Sequence, residues 1–308
     1  MPNYAVIDLG SNSVRLVVYE VRNDKKRTYT PKDFRSLIND KVMAGLAAYV
    51  DEDGLFTKAG IKRAVGVLKG HLKRSRYFEC KRIDCFATAV LRNASNSAEA
   101  IVAIEEEIGL PINLLSARDE AHLGFVGATC DREIKRGTLI DIGGGSTELT
   151  RIEDGVERAN VSIGQGSLSS YARFVKDILP TPDEALAIRA AFIKLLDALP
   201  ERDAFEAPVL YGIGGTVRAA SKMYAQTHGE GVRPKTLTPA QVDGILRMRR
   251  SDASAFAHSA LKASAERIHT LTPGCVILEA LLSTLGAQKL EICKHGIREG
   301  YLIERMLS

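Results

Sequence analysis

The chain has 308 residues, 45% of them hydrophobic and 26% charged, and a formal net charge of +4. That length suits two cores better than one, and no apolar run nears the roughly 18 residues of a membrane span, so neither a membrane nor a nucleic-acid partner is expected. Five scattered cysteines (Cys80, Cys85, Cys130, Cys275, Cys293) form no C-x-x-C pair, which excludes a disulfide framework or zinc knuckle and leaves reduced thiols.

The N-terminus enters structure at once. Tyr4 to Leu9 reads as a strand, leaves no room for a signal peptide and implies a cytoplasmic protein. The β-branched run ends in Asp8, turns on Gly10, Ser11, Asn12 and Ser13, and resumes through Arg15 and Leu16, the pattern of a hairpin with a short flexible tip. Strands near 13–22 and 27–38 follow, then a helix near 58–77 that Thr57 can cap. A strand at 83–88 comes next, then a helix near 97–108 with Glu99 in its first turn, which stops at Gly109 before Pro111. A short strand at 112–115 completes the unit. Residues 61–92 carry nine basic side chains against Glu79 and Asp84, a local charge of +7; this is either a solvated helix face or an electrostatic funnel for a polyanion.

The opening phrase then returns, displaced by 133 positions. Leu139-Ile140 runs into Asp141, and the chain passes Ile142, turns on Gly143, Gly144, Gly145 and Ser146, and resumes through Glu148 and Leu149. Glycine lets backbone N–H groups converge on an anion, while the aspartate at the strand end can carry a divalent cation. Two such tips in register suggest a duplicated α/β unit that grips one phosphate chain from both sides of a cleft. The second unit is expected to have strands near 137–142, 146–153 and 156–163, helices near 167–177 and 183–198, and a strand at 208–212. A third glycine loop, Gly212 to Thr216 with Gly214 and Gly215, runs into a helix near 217–224, a strand-turn-helix that binds anions at the helix N-terminus. Residues 225–236 read as a mobile loop, 238–288 as helical throughout, and the chain closes with a strand at 290–293 and a helix near 297–307.

Hydrolysis of a phosphoanhydride needs charge neutralisation on the phosphate, a positioned water and a carboxylate to orient or deprotonate it. Glu148 stands at the mouth of the second hairpin on the side of Ser146, and Glu120 lies at the start of a helix between the two halves. Arg92 follows a strand and can clamp a phosphate with its guanidinium fork. His122 has no serine or cysteine elbow beside it, and the six histidines form no metal spacing.

Taken together, Asp8-x-Gly10-Ser11-Asn12-Ser13-x-Arg15-Leu16, Ala89-x-Leu91-Arg92-x-Ala94-x-Asn96, Glu120-Ala121, Asp141 to Glu148, Gly212-x-Gly214-Gly215-Thr216 and Gly296-x-Arg298-Glu299-Gly300 resemble the exopolyphosphatase and guanosine pentaphosphate phosphohydrolase family. The resemblance implies a two-domain actin-like ATPase (ribonuclease H-like) fold of duplicated mixed-sheet α/β units. Residues 1–120 with a C-terminal helix at about 295–308 would form one domain and 121–294 the other. It further implies that Glu120 and Glu148 handle the attacking water, that Arg92 binds phosphate, and that Asp141, Asp8 and the glycine hairpins cradle Mg²⁺ and phosphate. A homodimer is also implied. Three departures bear on substrate choice. The sequence ends soon after Gly300, where longer relatives append a helical module, which argues against tight processive use of long chains. Gly164-Gln165-Gly166-Ser167-Leu168 stands where relatives commonly show Gly-x-Val-Arg-Leu, and His122 replaces a frequent arginine.

The expected activity is release of a terminal phosphate from polyphosphate, short chains favoured, or from guanosine pentaphosphate. An actin-like kinase or ATPase, and a silent sensor of the same ligands, are the alternatives.

Overall fold

The computed structural model describes residues 1–229 and 231–308. Two compact units result, Met1–Glu133 with His295–Ser308, and Ile134–Lys294. The boundary expected at 121 therefore moves to 134.

The first unit follows the chain as β1 (Asn3–Leu9), β2 (Ser13–Val21), β3 (Phe34–Met43), α1 (Lys58–Tyr77), β4 (Cys80–Ala87), α2 (Ala89–Arg92), α3 (Ser97–Ile108), β5 (Ile112–Leu114) and α4 (Ala117–Thr129). Its sheet has the order β3-β2-β1-β4-β5, with β1 antiparallel to β2 and parallel to β4. Alternation sorts β1 between two cores. Ala5, Ile7 and Leu9 meet Ala64, Leu68 and Leu72 of α1 on one face. Tyr4 and Val6 pack on the other with Phe86, Leu123, Tyr301 and Leu302. Thr57 caps α1 by accepting from the Gly60 N–H at 3.3 Å. β3 begins later than expected because the charged segment before it is held as a turn, where Asp33 accepts from the Thr30 N–H at 2.9 Å and from the Thr30 hydroxyl at 3.0 Å.

The second unit contains β6 (Arg136–Ile142), β7 (Thr147–Glu153), β8 (Val156–Ile163), α5 (Ser167–Phe174), α6 (Pro182–Asp197), β9 (Val209–Ile213), α7 (Gly214–Thr227), β10 (Thr236–Leu237), α8 (Pro239–Ser251), α9 (Ala253–Ser264), α10 (Ile268–Thr284) and β11 (Lys289–Ile292). The sheet order β10-β11-β9-β6-β7-β8 repeats the first unit's pattern and adds β10 as an edge. The helical stretch expected over 238–288 breaks at Asp252, whose side chain caps α9 through the Ala255 N–H at 2.9 Å, and again at a 3₁₀ turn over Ala265–Arg267. Within the segment expected as a mobile loop, α7 reaches Thr227 and β10 starts at Thr236, while residue 230 lies outside the described residues.

The chain then returns to the first unit with α11 (Ile297–Tyr301) and a π turn over Leu302–Met306. α11 explains why α4 belongs to this unit. A Cβ on Gly127 would stand 1.9 Å from the Gly296 carbonyl oxygen, and one on Gly300 would stand 1.9 Å from that of Leu123, so the two helices approach backbone to backbone. Among the described residues no helix is long and apolar enough to cross a membrane.

Candidate active site

The two expected hairpins form with the same internal bond, Gly10 N–H to Ser13 O at 3.1 Å and Gly143 N–H to Ser146 O at 2.9 Å. In each, the following segment takes up the tip carbonyls. The N–H groups of Ala44, Gly45 and Ala47 bond the carbonyls of Asn12 and Ser11, while those of Ser167, Leu168 and Ser169 bond the carbonyls of Gly143 and Gly144. The N–H groups of Ser11, Asn12, Gly144 and Gly145 donate to no backbone carbonyl among the described residues. With carbonyls filled and donors left over, each tip presents partial positive charge, the condition for holding an anion. In the first hairpin Asn12 Nδ2 is likewise a buried donor with no partner among the described residues.

Register then distinguishes the copies. Asp8 sits opposite Arg15, and Arg15 opposite Lys41; Asp141 sits opposite Glu148, and Glu148 opposite Ser162. Side chains of directly opposed residues share a face. One hairpin therefore lines up cations behind its aspartate and the other a second carboxylate and a hydroxyl. Glu148 is 3% exposed and accepts from Ser162 Oγ at 2.9 Å, a bond that fixes its rotamer.

The third glycine loop is itself the first turn of α7. Gly214 has φ 83°, and a Cβ there would meet Asp141 Oδ1 at 2.1 Å, so the carboxylate lies against the start of the helix. A Cβ on Gly215 would stand 2.4 Å from a guanidinium nitrogen of Arg267. Thr216 commits its side chain within the second unit. Its hydroxyl donates to the Ile142 carbonyl at 2.8 Å and ties α7 to the second hairpin.

In the first unit Arg92 and Glu120 come together, Nη1 to Oε2 at 2.7 Å, and Arg92 also donates to the Leu115 carbonyl at 3.1 Å. Glu120 lies in the first turn of α4, which Ser116 caps through the Asp119 N–H. A phosphate that drew Arg92 would loosen its grip on Glu120. Asp8, expected as a metal ligand, has a guanidinium as its neighbour, with Arg298 Nη1 at 2.8 Å from Oδ2. Burial alone would raise the neighbouring Glu299 carboxyl, but Arg298, the Tyr19 hydroxyl at 2.6 Å and the Gly296 N–H at 2.9 Å bring it below the usual range. Arg15 is engaged with Asn39 Oδ1 at 2.6 Å, and His122 with Glu304 at 2.8 Å.

The departure at 166 has a steric cause. A Cβ on Gly166 would stand 2.7 Å from the Gly144 carbonyl, so valine is excluded unless the hairpin shifts. Ser167, in place of the usual arginine, donates to the Gly143 carbonyl at 2.9 Å. Sequence reasoning missed Ser162, Arg267 and Arg298. The alternation of β8 against Glu148 could have found Ser162, and Arg298 stood inside a recognised motif, but nothing local marks Arg267. Burial pushes the Cys275 thiol up to about 12.

The sequence profile of the Ppx/GppA phosphatase family matches residues 17–308. Exopolyphosphatase 1 of Mycobacterium tuberculosis is 26% identical over 314 residues, covering 98% of this chain and 88% of that protein. The guanosine-5'-triphosphate,3'-diphosphate pyrophosphatase of Vibrio cholerae is 28% identical over 308 residues, covering 98% of this chain but 59% of that protein. Among solved structures, an exopolyphosphatase from Cytophaga hutchinsonii superposes with a TM-score of 0.83 at 20% identity, over 99% of this chain and 97% of that one. The paired sheets are those of the two-domain actin-like fold. With the profile matching residues 17–308, across the second glycine hairpin and the closing helix, this chain belongs to the Ppx/GppA phosphatase family.

Proposed function

We propose that the protein hydrolyses the terminal phosphoanhydride of inorganic polyphosphate or of guanosine pentaphosphate. The observation that carries this reading is the asymmetry of the twin hairpins. Both tips offer unpaired N–H groups, yet Arg15 in the first is matched by Glu148 in the second. A cation there suits phosphate and a carboxylate suits water. The names of the relatives, exopolyphosphatase and guanosine-5'-triphosphate,3'-diphosphate pyrophosphatase, agree.

Mg²⁺ fits the donors present. Mg²⁺ sites use one or two carboxylates completed by substrate phosphates and water, and Asp141 beside Glu148 offers such a pair, with Gly214 leaving room for the Asp141 carboxylate. Asp141 would hold the ion. Asp8, already neutralised by Arg298, would orient rather than coordinate. Bound Mg²⁺ would offset charge on the phosphate oxygens.

In the proposed reaction the N–H groups of the second hairpin bind the terminal phosphoryl group, and in the first unit the hairpin N–H groups and Arg92 supply further phosphate-binding groups. Glu148 aims a water at phosphorus and takes its proton as the new P–O bond forms. The bridging P–O bond breaks, and its electron pair leaves with the shortened chain. Short polyphosphate is the favoured chain length, and the protein is proposed to act in the cytoplasm as a homodimer.

The test is phosphate release from tripolyphosphate, long polyphosphate and guanosine pentaphosphate, with and without Mg²⁺ and without any acceptor. Glu148→Gln is expected to lower kcat by about 10²- to 10⁴-fold. Full activity of that variant, or phosphate transfer only to an added acceptor, would overturn the assignment.

A further inference from the structure

A groove of about 290 Å³ lies on the second unit among α6, α8 and α10. Pro180, Ala185, Leu186, Leu246 and Val276 give it apolar walls, and Thr272 and Glu279 complete one side. Thr272, Val276 and Glu279 follow helical spacing along one face of α10. Gly274, between them in sequence, points elsewhere, since a Cβ on it would meet Thr216 and Ser167 at the glycine loops. The groove is therefore on a different face of α10 from the candidate active site.

Two polar groups in this groove have no protein role to account for them. Thr272 is 1% exposed, yet its Oγ1 has no hydrogen-bond partner among the described residues. A helical threonine ordinarily returns its hydroxyl to a carbonyl one turn back, and leaving it orphaned costs about 1 to 3 kcal/mol. Arg249 uses Nη2 to hold the Pro180 carbonyl at 2.6 Å, but its Nε–H is buried and equally without a partner. The carboxylates nearby are committed elsewhere. Glu279 pairs with Arg189 at 2.7 Å and Asp243 with Arg247 at 3.1 Å. Arg249 and Arg250 thus leave the groove with excess positive charge.

Orphaned donors, uncompensated guanidinium charge and aliphatic walls ask for one kind of occupant. We propose that this groove binds a small amphiphilic carboxylate, its head on Arg249 and Thr272 and its aliphatic body along Leu186, Leu246 and Val276. The volume sits at the lower end of metabolite pockets, about 300 Å³, which suits a medium-length chain. This site is independent of the hydrolytic reading.

Octanoate is the probe, with octylammonium and octanol as controls, measured by titration calorimetry on the full chain. Octanoate is expected to bind at least about tenfold more tightly than either control, since a hydrogen bond to a charged group contributes about 1.5 to 3 kcal/mol. Thr272→Val keeps the shape and removes the orphan. It is expected to leave the free protein as stable or more so while weakening octanoate at least about fivefold. Val276→Phe, which fills the groove without touching Arg249, is expected to abolish binding, and Glu148→Gln to leave it intact. Equal binding of octanoate and octylammonium, or unchanged octanoate affinity in Thr272→Val, would overturn the proposal. So would competition by inorganic phosphate in the wild type that Glu148→Gln abolishes.

Discussion

At the scale of single residues, the candidate site depends on close approaches that only glycine permits. Gly214 combines a left-handed φ with a carboxylate oxygen where its Cβ would be. Gly214→Ala is therefore expected to cost about 1 to 3 kcal/mol of stability and to displace Asp141. Urea denaturation and the Mg²⁺ dependence of phosphate release together check this, because a purely structural effect would leave the metal requirement unmoved. A second residue-scale expectation concerns His71, which is fully buried, with Nε2 at 3.3 Å from the Val14 carbonyl and Nδ1 at 3.6 Å from Asp40. Burial, only partly offset by Val14 and Asp40, holds this imidazole below the ordinary value of 6.5. The unfolded chain then binds the proton first, so stability is full above pH 6.5 and falls as pH drops through that value. His269 shifts the same way, again through burial first and then Arg267. Denaturation between about pH 5 and 8 should show a slope that His71→Gln reduces without abolishing.

At the scale of elements, helix termini were legible because their signals are local. Thr181 accepts from the Glu184 N–H at 3.2 Å while the Glu184 carboxylate accepts from the Thr181 N–H at 2.8 Å, a reciprocal cap that Pro182, Asp183 and Glu184 announce in the sequence. The contact of α4 with α11 was not legible, since its determinants lie far apart along the chain. Gly300→Ala puts a methyl into a backbone carbonyl and is expected to destabilise by about 3 kcal/mol or more. Gly66→Ala is the informative contrast. It lies on the exposed face of α1 with nothing within 4 Å of an added Cβ, so it should stabilise by about 0.5 to 1 kcal/mol. Thermal unfolding of the two variants separates a helix-propensity effect from a packing effect.

At the scale of the whole molecule, charge reads differently once the chain is folded. Of the nine basic residues in 61–92, five have acquired carboxylate partners: Lys69 with Glu107, Arg74 with Asp40, Lys81 with Asp24, Arg82 with Asp84 and Arg92 with Glu120. The local excess is smaller than the sequence count, and the exposed members of this set, such as Lys69 with Glu107, are screened by salt in any case. Between about 0.05 and 0.5 M salt, kcat/KM for long polyphosphate is expected to fall by less than about tenfold; a steeper loss would restore the funnel. The sequence by itself determined the duplication, the two aspartate-glycine hairpins and the acid at 148, because β-alternation, turn chemistry and a repeated phrase are properties of neighbouring residues. Only the tertiary structure decided which partner each charge takes. It gave Asp8 to Arg298, Arg92 to Glu120 and the Thr216 hydroxyl to a carbonyl, and among the described residues it left the Asn12 amide and Thr272 hydroxyl unanswered. Pairing and burial depend on what the fold brings together from distant sequence, and no local pattern encodes that.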